Sequence, residues 1–314
     1  MQPTQFSSGD VIADRRADYA RMLAESGDPA AAAELMEQAL ELAPTWAAGW
    51  LRLGEYREKA GLDGEAAVAL ERVLALDPED IFGASLKLAL LGAAETPDKP
   101  PSRYVEALFD DYADRFEEVL VERLDYSVPG KLAALVRRVR DEGGAFDCAV
   151  DLGCGTGLLG IEIRGMVKRL EGFDLSTNML AKAEEKGIYD LLARSDLSVD
   201  VDLSGVFAGG LARGRADLVA AADVLMYLGD LSNAFALAAA LASPAALFAF
   251  SVEDAATPDG FHLAPSLRYA HSEHYVRGAL AAEGFETLDI ERTTIRMDGG
   301  KPVFGILFIA IRTA

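Results

Sequence analysis

A glycine-rich loop between an apolar strand and a helix is the segment whose residue types and spacing point most directly to chemistry. Residues 149–160, AVDLGCGTGLLG, place Gly153, Gly155 and Gly157 directly after a strand that ends near Asp151. Glycine tolerates positive φ and lets the backbone come close to a ligand. The N–H groups of such a loop face the carboxyl edge of a parallel sheet, where doubly wound proteins bind ligands. The loop therefore predicts a cofactor site.

The spacing of this loop is compatible with more than one ligand that carries adenosine. Gly155, Gly157 and Gly160 satisfy the GxGxxG fingerprint of dinucleotide-binding proteins. Asp174 ends the next predicted strand, where an acidic side chain binds ribose hydroxyls. These two features leave a nicotinamide dinucleotide and other adenosine cofactors open.

Asp151, ahead of the first glycine, gives the segment VDLGCGTG. Here the sequence resembles the first motif of class I S-adenosylmethionine (SAM)-dependent methyltransferases, a hydrophobic residue followed by D-x-G-x-G-x-G. The resemblance implies that Asp151, Gly153, Cys154, Gly155 and Gly157 line the methionine part of SAM. A carboxylate suits a ligand that bears an ammonium and a sulfonium, and it suits a pyrophosphate poorly.

Two later segments resemble the adenosine-binding motifs of the same family. In EGFDLSTNML, the resemblance implies that Asp174 holds the ribose diol, that Leu175 also binds the cofactor and that Met179 lies beside the adenine. In ARSDLS, it implies that Asp196 and Leu197 lie near the adenine amino group.

A third segment, ADLVAAADVLMYLGDL, resembles the fourth-strand motif of the family. The resemblance implies that Ala222 and Asp223 contact the cofactor beside the reacting centre. Asp223 is expected to shape the pocket rather than to act as a catalytic group, and Tyr227 is a candidate for substrate contact.

The helix before the glycine loop, predicted over Tyr104–Leu124, resembles a segment that covers SAM in small-molecule methyltransferases. Tyr112, Arg115 and Phe116 carry this resemblance, and Tyr126 is close enough in the chain to reach the same pocket. The alternative is that Tyr112 and Phe116, four residues apart, form the buried face of an ordinary helix. Both interpretations stay open at this point.

All three histidines occur in the segment GFHLAPSLRYAHSEHY, as His262, His271 and His274. Histidine is a natural general base at neutral pH, so His271 and His274 are the candidate catalytic residues. Arg268 is a candidate for pairing with an anionic group of the substrate. The alternative is that Ser272 caps a helix and that these histidines are ordinary loop and first-turn residues.

The elements that must position these residues alternate between strand and helix from Tyr104 onward, with strands predicted over 147–152, 168–174, 191–194, 216–221 and 246–252. Such alternation predicts a Rossmann-like, doubly wound α/β sheet. The chain ends in two long strand patterns, 285–296 and 303–312, around the polar turn DGGK. This predicts a terminal antiparallel hairpin, which resembles the last two strands of class I methyltransferases.

Two amphipathic helical segments precede this domain, and each ends at a proline, Pro44 and Pro78. Their separation of 34 residues is the period of tetratricopeptide (TPR) repeats. The predicted organisation is a small all-α TPR-like domain (1–94), a Pro-rich linker (95–102) and a SAM-dependent methyltransferase domain (103–314). Repeats in front of such a domain resemble a group of bacterial predicted methyltransferases that contain TPR units.

Composition limits the partners. The net charge of −21, from 51 acidic and 30 basic residues, disfavours nucleic acid and anionic membrane surfaces. The apolar segment 234–252 is interpreted as a helix and a buried strand rather than a membrane span. Cys148 and Cys154 are the only cysteines, so reduced thiols, a cytoplasmic location and no metal site are expected.

The sequence therefore predicts methyl transfer from SAM to an unidentified acceptor, expected to be a small molecule. One alternative is a TPR scaffold whose Rossmann-like domain binds SAM without catalysis, and a second is an NAD(P)-dependent oxidoreductase. The repeats are expected to bind a protein partner, to cover the active site or to mediate self-association.

Overall fold

The computed structural model describes residues 7–113, 126–140 and 144–313. The chain divides into two compact units, Met1–Ala107 and Leu108–Ala314. This boundary falls inside a helix that begins at Ser102, just after the predicted linker. The domain limits derived from the sequence stay a prediction.

The first unit is helical. Asp10 caps the first helix by accepting hydrogen bonds from the N–H groups of Ile12 and Ala13, and Asp28 caps the second through the N–H of Ala31. Consecutive helices pack against each other in pairs. Within its described residues, the helices that lie wholly in this unit are α1 (Val11–Glu25), α2 (Pro29–Leu40), α3 (Ala47–Lys59), α4 (Asp63–Leu76) and α5 (Ala84–Leu90).

Small residues let the paired helices of this unit approach closely. Gly54 of α3 is so near α4 that an added Cβ atom would lie 3.2 Å from the side chain of Leu70. Ala66 and Leu70 are fully buried. Trp50 is only half-buried, and its indole N–H donates to the carbonyl of Pro44 at 2.9 Å. Burial of these close-packed apolar rows is the main force that holds the pairs together.

The second unit is an α/β domain built on a sheet to which its described residues contribute nine strands. Its helices are α6 (Ser102–Tyr112, which crosses the unit boundary), α7 (Val128–Arg140), α8 (Leu158–Ile163), α9 (Thr177–Glu185), α10 (Ser232–Leu241) and α11 (Glu273–Ala282), among the residues described. Its strands are β1 (Phe146–Leu152), β2 (Val167–Asp174), β3 (Leu191–Arg194), β4 (Ala216–Ala221), β5 (Ala242–Asp254), β6 (Phe261–Leu263), β7 (Tyr269–His271), β8 (Phe285–Asp298) and β9 (Lys301–Arg312).

The order of the strands places the ends of β1, β2 and β4 side by side. Strands β3, β2, β1, β4 and β5 are neighbours in that order and run parallel, while β9 pairs antiparallel with both β5 and β8. Strand β7 pairs parallel with the end of β5, and β6 pairs antiparallel with β7. The predicted fold class is confirmed: a Rossmann-like doubly wound sheet with a terminal antiparallel hairpin, preceded by a small helical region.

Alternate residues of the central strands pack into cores on opposite faces of the sheet. Ala149 of β1 packs with residues of α7 and α8, whereas the next residue, Val150, packs with residues of α10 and α11. In the second core the rings of Phe250 and Phe308 stack 5.1 Å apart. Burial of each such ring contributes about 2 kcal/mol, so the sheet is a rigid platform for the loops at its edge.

The terminal hairpin turns at Gly299 and Gly300, whose φ angles are +53° and +77°. A two-residue turn needs this left-handed backbone, and two glycines adopt it without steric cost. The pairing therefore continues to the turn itself, and β8 and β9 are longer than the predicted strands 285–296 and 303–312. Strand β5 is likewise longer than the predicted 246–252.

Two long segments, the helix before the glycine loop and the apolar segment 234–252, can be compared with the structure. The helix predicted over Tyr104–Leu124 is described as α6 up to Tyr112, and residues 114–125 lie outside the described part of the chain. The apolar segment 234–252 forms α10 and most of β5. Over the residues described, no helix has both the length and the apolar character needed to cross a membrane.

Candidate active site

The glycine loop follows β1 at the carboxyl edge of the sheet. Gly153, Gly155 and Gly157 have φ angles of +67°, +53° and +92°, a backbone that disfavours any side chain with a Cβ atom. At Gly153 an added Cβ would lie 2.4 Å from Val224, so the loop is held tightly against the end of β4. At Gly155 an added Cβ would meet nothing within 4 Å. The loop therefore has a packed side and an open side.

The carboxylate of Asp174 anchors this loop from the end of β2. Its Oδ2 accepts the N–H of Gly155 at 2.8 Å, and its Oδ1 accepts the N–H of Ser176 at 2.9 Å. Burial raises the pKa of Asp174 to about 6, although these backbone donors favour the ionised form. Each carboxylate oxygen has a second lone pair, so the side chain can still accept hydrogen bonds from a ligand.

Asp151, the last acid of β1, is 1% exposed. The hydroxyl of Tyr189 donates a hydrogen bond to Oδ2 of Asp151 at 2.7 Å, whereas Oδ1 has no partner among the described residues. Burial raises the pKa of Asp151 to about 7. Cys154, in the same loop, is buried, and burial also raises the pKa of its thiol. Tyr189 is a residue of this site that the sequence analysis missed.

The residues assigned to the adenine side follow β2 and β3. Met179 is fully buried in α9, which begins after its N-cap Ser176, and Leu175 is half-buried beside it. Asp196 is half-buried, and its Oδ1 accepts hydrogen bonds from the N–H and hydroxyl of Ser198 at 2.8 and 2.7 Å. Leu197 is buried next to it. The loops after β2 and β3 thus present both acids and the apolar residues at the same edge.

A buried ion-pair cluster lies at the end of β4. Asp223 has a φ angle of +54°, and its N–H donates to the hydroxyl of Ser251 at 2.8 Å. One guanidinium nitrogen of Arg296 lies 3.2 Å from Asp223, and the other donates to Glu253. Burial raises the pKa of Asp223 to about 6, against the opposing fields of Arg296 and Arg268. Ala222, the preceding residue, is half-buried.

Arg296 reaches this cluster because the pairing of β8 with β9 is irregular. Thr294 pairs with Phe304 and Arg296 pairs with Val303, which leaves Ile295 as an extra residue on β8. Ile295 and Arg296 are consecutive and both buried, a pattern that a regular strand with one solvated face would not show. Such a bulge changes the direction of the following side chain, and here it directs Arg296 toward the interior of the domain.

The acceptor-side residues predicted from sequence lie around Asp223. Nε of Arg268 donates to the hydroxyl of Tyr227 at 3.2 Å, and the guanidinium lies 5.7 Å from the Tyr227 ring centre. Burial disfavours the charged form of Arg268, but the fields of Tyr227, Glu253 and Asp223 raise its pKa overall. Burial raises the pKa of Tyr126, and the negative charges of Asp223 and Asp151 raise it further. Four side chains therefore converge near the end of β4.

The C-terminal part of α6 packs over both sides of this edge. The hydroxyl of Ser176 donates to Asp110 at 2.5 Å, and the amide of Asn178 donates to the Asp110 carbonyl at 3.0 Å. The ring of Phe109 lies 5.0 Å from that of Tyr227 in an edge-to-face arrangement. Tyr112 is half-buried at the end of the helix. Arg115 and Phe116, the other residues of that resemblance, lie outside the described residues.

The histidines occupy two different environments. His271, in β7, is fully buried, its Nε2 lies 3.0 Å from the carbonyl oxygen of Gly229, and its ring stacks on Tyr275. Burial lowers the pKa of His271 to about 4, so the ring is neutral at pH 7. His274 is exposed in the first turn of α11, which Ser272 caps. The catalytic role of both histidines stays a prediction.

The arrangement fits SAM better than a dinucleotide. An unpartnered carboxylate oxygen on buried Asp151 suits a cationic ligand, and the open side of Gly155 leaves room for a ligand against the loop. Asp174 stands where ribose hydroxyls bind. The carboxylates of Asp151 and Asp174, this close to the loop, would repel a pyrophosphate. Gly160, the last glycine of the dinucleotide fingerprint, has a local role instead, since an added Cβ would lie 2.4 Å from the Tyr189 hydroxyl.

Comparison with known protein families agrees with this site. A family profile described as a methyltransferase domain matches residues 124–288, just over half of the chain, and a tetratricopeptide repeat profile matches residues 13–56. The chain therefore belongs to the family of methyltransferase-domain proteins. The predicted enzyme class, a methyltransferase with SAM as its cofactor, and the predicted N-terminal TPR repeat are confirmed. No curated protein matches the chain.

Solved structures share the fold of the second unit. Magnesium protoporphyrin IX methyltransferase from Synechocystis PCC 6803, solved with bound SAH, has a TM-score of 0.50 and 18% identity over 68% of this chain and 99% of that one. The cyclase SpnF has a TM-score of 0.51 and 16% identity over 69% of this chain and 98% of that one. Since one of these is described as a cyclase, the shared fold alone does not fix the reaction.

Proposed function

We propose that the second unit transfers a methyl group from SAM to a small-molecule acceptor. The observation that carries this proposal is that three acids with little exposure, Asp151, Asp174 and Asp223, lie at the ends of β1, β2 and β4, which are neighbours at one edge of the sheet. Each acid ends or follows a different strand, so one ligand lying along the edge can meet all three.

The cofactor half of the site is assigned to the loops after β1, β2 and β3. Asp151 and the backbone of Gly153, Cys154, Gly155 and Gly157 would hold the methionine part. The residues assigned to the adenosine part are Asp174, Leu175, Met179, Asp196, Leu197 and, from α6, Tyr112. When bound, SAM supplies a methyl group that its sulfonium already activates. The protein mainly has to align this group with the acceptor.

Asp223, which was expected from the sequence to shape the pocket, is proposed here as the group that receives a proton from the acceptor. Its pKa of about 6 leaves the carboxylate ionised at neutral pH and close to the range in which a general base works well. Arg296 holds this carboxylate in place, and the Ser251 hydroxyl accepts the backbone N–H of Asp223. As the acceptor atom gains the methyl group, its proton passes to the carboxylate of Asp223 and then to solvent. Tyr126 stays protonated, because burial raises its pKa, and can donate a hydrogen bond.

The cover over the site supports a small acceptor. Helix α6 reaches the cofactor side through Asp110 and Ser176, and the acceptor side through Phe109 and Tyr227. An edge that is covered in this way admits a small molecule more easily than a folded protein. Arg268 and Tyr227 are the candidate residues for substrate contact.

Two further assignments rest on the sequence. His271 or His274 as a general base stays a hypothesis, and the buried neutral ring of His271 fits a positioning role at least as well. The TPR repeat supports a protein partner or self-association, since arrays of this kind commonly present binding surfaces. The two alternatives considered from the sequence, a non-catalytic scaffold and an NAD(P)-dependent oxidoreductase, do not agree with the methyltransferase domain that the family profile matches.

A labelling experiment tests the proposal. An extract of the cells that produce the protein would be separated into fractions below 1 kDa and above 10 kDa, and each incubated with the enzyme and methyl-labelled SAM. We expect label to enter the low-mass fraction. Asp223→Asn keeps the shape of the side chain but cannot take the proton, so we expect incorporation at least about a hundredfold slower.

The matched control is Asp254→Asn, which removes the half-buried partner of the exposed Arg292 in the same unit and should leave the rate unchanged. Label that enters only the high-mass fraction would contradict the small-molecule acceptor. Label transferred at an equal rate by Asp223→Asn would contradict the role of Asp223 as proton acceptor.

A further inference from the structure

We propose that Tyr189 is a positioning residue for the cofactor: its hydroxyl fixes one oxygen of Asp151 and so directs the other toward the cation of SAM. This inference rests on the proposed function, because it assigns a role to a residue that serves the same site. Neither the glycine loop nor the resemblance to methyltransferases singles out Tyr189.

A slot lined by three glycines holds the ring of Tyr189. An added Cβ at Gly157 would lie 3.0 Å from the ring, one at Gly160 would lie 2.4 Å from the hydroxyl, and one at Gly172 would lie 2.8 Å from the ring. These residues come from the loop after β1, from α8 and from β2. A side chain at Gly160 or Gly172 would overlap Tyr189. The close packing of these glycines around Tyr189 therefore fixes the orientation of its ring.

The hydroxyl at the end of this ring selects one carboxylate oxygen. It donates to Oδ2 of Asp151 at 2.7 Å, while Oδ1 is buried and has no hydrogen-bond partner within the described ranges. A buried, unpartnered carboxylate oxygen is costly in a folded protein. A cationic ligand would remove that cost, and the cofactor of this family bears a sulfonium and an ammonium.

The charges around Asp151 make this hydrogen bond important for its ionisation. Among the described residues, the ionisable groups that interact with Asp151 are Asp174, whose charge acts on it, Tyr189, which donates to it, and Cys154 and Tyr126, whose own pKa values its charge raises. None of these four carries a positive charge. Burial and Asp174 raise the pKa of Asp151, and the Tyr189 hydrogen bond opposes them. Burial also raises the pKa of Tyr189, which therefore acts as a donor and does not ionise.

The affinity for SAM is expected to depend on pH through the ionisation of Asp151. Only ionised Asp151 attracts a cation, so SAM affinity should rise with pH through the pKa of Asp151, which is about 7. Without the phenol hydrogen bond the carboxylate is harder to ionise. The midpoint of the affinity curve should then move to higher pH.

The test is Tyr189→Phe, with SAM dissociation constants measured by calorimetry between pH 5.5 and 8.5. We expect about tenfold weaker binding at pH 7 and a midpoint about one pH unit higher, since a hydrogen bond to a charged group of this kind is lost. In the protein without SAM, carboxyl ¹³C NMR should show the same upward shift for Asp151. Tyr275→Phe is the control, because that hydroxyl contacts Leu231 and Asp230 elsewhere in the domain.

A second variant tests the slot without changing Tyr189. Gly160→Ala is favourable for a helix, so the backbone gives no reason for weaker binding. Its Cβ would displace the hydroxyl, and we expect the Asp151 titration to shift as in Tyr189→Phe. The double variant should show no additional shift.

The outcomes separate the inference from the proposed function. If the wild-type protein does not bind SAM at any pH, the proposed function fails. If the wild-type protein binds SAM but Tyr189→Phe and Gly160→Ala leave both the affinity and the Asp151 titration unchanged, the inference alone is overturned.

Discussion

Replacing Asp174 with alanine is expected to weaken SAM binding at least about a hundredfold. The carboxylate is assigned to both ribose hydroxyls, and two hydrogen bonds to a charged acceptor are worth about 3 kcal/mol or more. The same side chain also holds the N–H groups of Gly155 and Ser176. Its removal therefore loosens the loop as well as deleting the contact. Isothermal titration calorimetry measures the change.

The matched control is Asp147→Ala at the opposite end of β1. Asp147 is exposed and pairs at the surface with Lys168, at 2.6 Å. Surface pairs of this kind contribute little to stability, so SAM affinity should be unchanged. Equal affinity in wild type and Asp174→Ala would show that the acid at the end of β2 does not bind the cofactor.

Arg296→Met is expected to lower the free energy of unfolding of the second unit by about 3–5 kcal/mol at pH 7.5. The substitution leaves Asp223 and Glu253 buried without their shared cation, and breaking a buried ion pair costs about that amount. Both tryptophans, Trp46 and Trp50, lie in the first unit, so their fluorescence does not report this change. Hydrogen exchange of β1 and β4 peptides in urea follows the second unit directly.

The decrease in the free energy of unfolding caused by Arg296→Met should become smaller as the pH falls. Without Arg296, the pKa of Asp223 in the folded protein rises further above its value in the unfolded chain. At low pH the carboxyl is protonated in both states, so the substitution has no effect through its charge. The destabilisation then grows as the pH rises through the pKa of the folded state. The triple variant Arg296→Met, Asp223→Asn, Glu253→Gln should recover part of the stability. Arg292→Met, four residues earlier on β8, is the control: the Arg292 side chain is 55% exposed, so loss of its pairs should cost less than about 1 kcal/mol. Equal effects of the two arginine substitutions, or a loss independent of pH, would contradict the account.

The positions of the glycine loop and of Asp174 at the sheet edge were predictable from the sequence because short segments determine them. An apolar strand, a glycine loop and a helix place Gly155 at the sheet edge, and the end of the next strand places Asp174 beside it. Neighbouring parallel strands align these residues without help from distant parts of the chain. The fold class was predictable for the same reason.

The residues that the sequence analysis missed depend on long-range packing. Tyr189 reaches Asp151 across 38 residues, and the only signal in the sequence is a pair of small residues, Gly160 and Gly172, on a helix and a strand. Arg296 is buried because of one extra residue on β8, which the alternating pattern of the strand does not reveal. Neither interaction follows from local preferences.

The acceptor side was the hardest part to predict. The segment that contains the histidines forms β6 and β7, which extend the sheet beside β5 and bury His271. These strands have three residues each, too short for a periodic pattern to be recognised. The sequence therefore identified Arg268 and His271 as a group, but it could not show that one faces Tyr227 and the other lies in the core.

Thermal unfolding with SAM, S-adenosylhomocysteine, NADH and NADPH, each added separately to the wild-type protein, tests the central claim most directly. A ligand at a hundred times its dissociation constant adds about 2.7 kcal/mol of stability. We expect stabilisation by SAM and S-adenosylhomocysteine and none by the nicotinamide ligands. Stabilisation by NADH or NADPH, or by none of the four ligands, would contradict the assignment of the glycine loop to SAM.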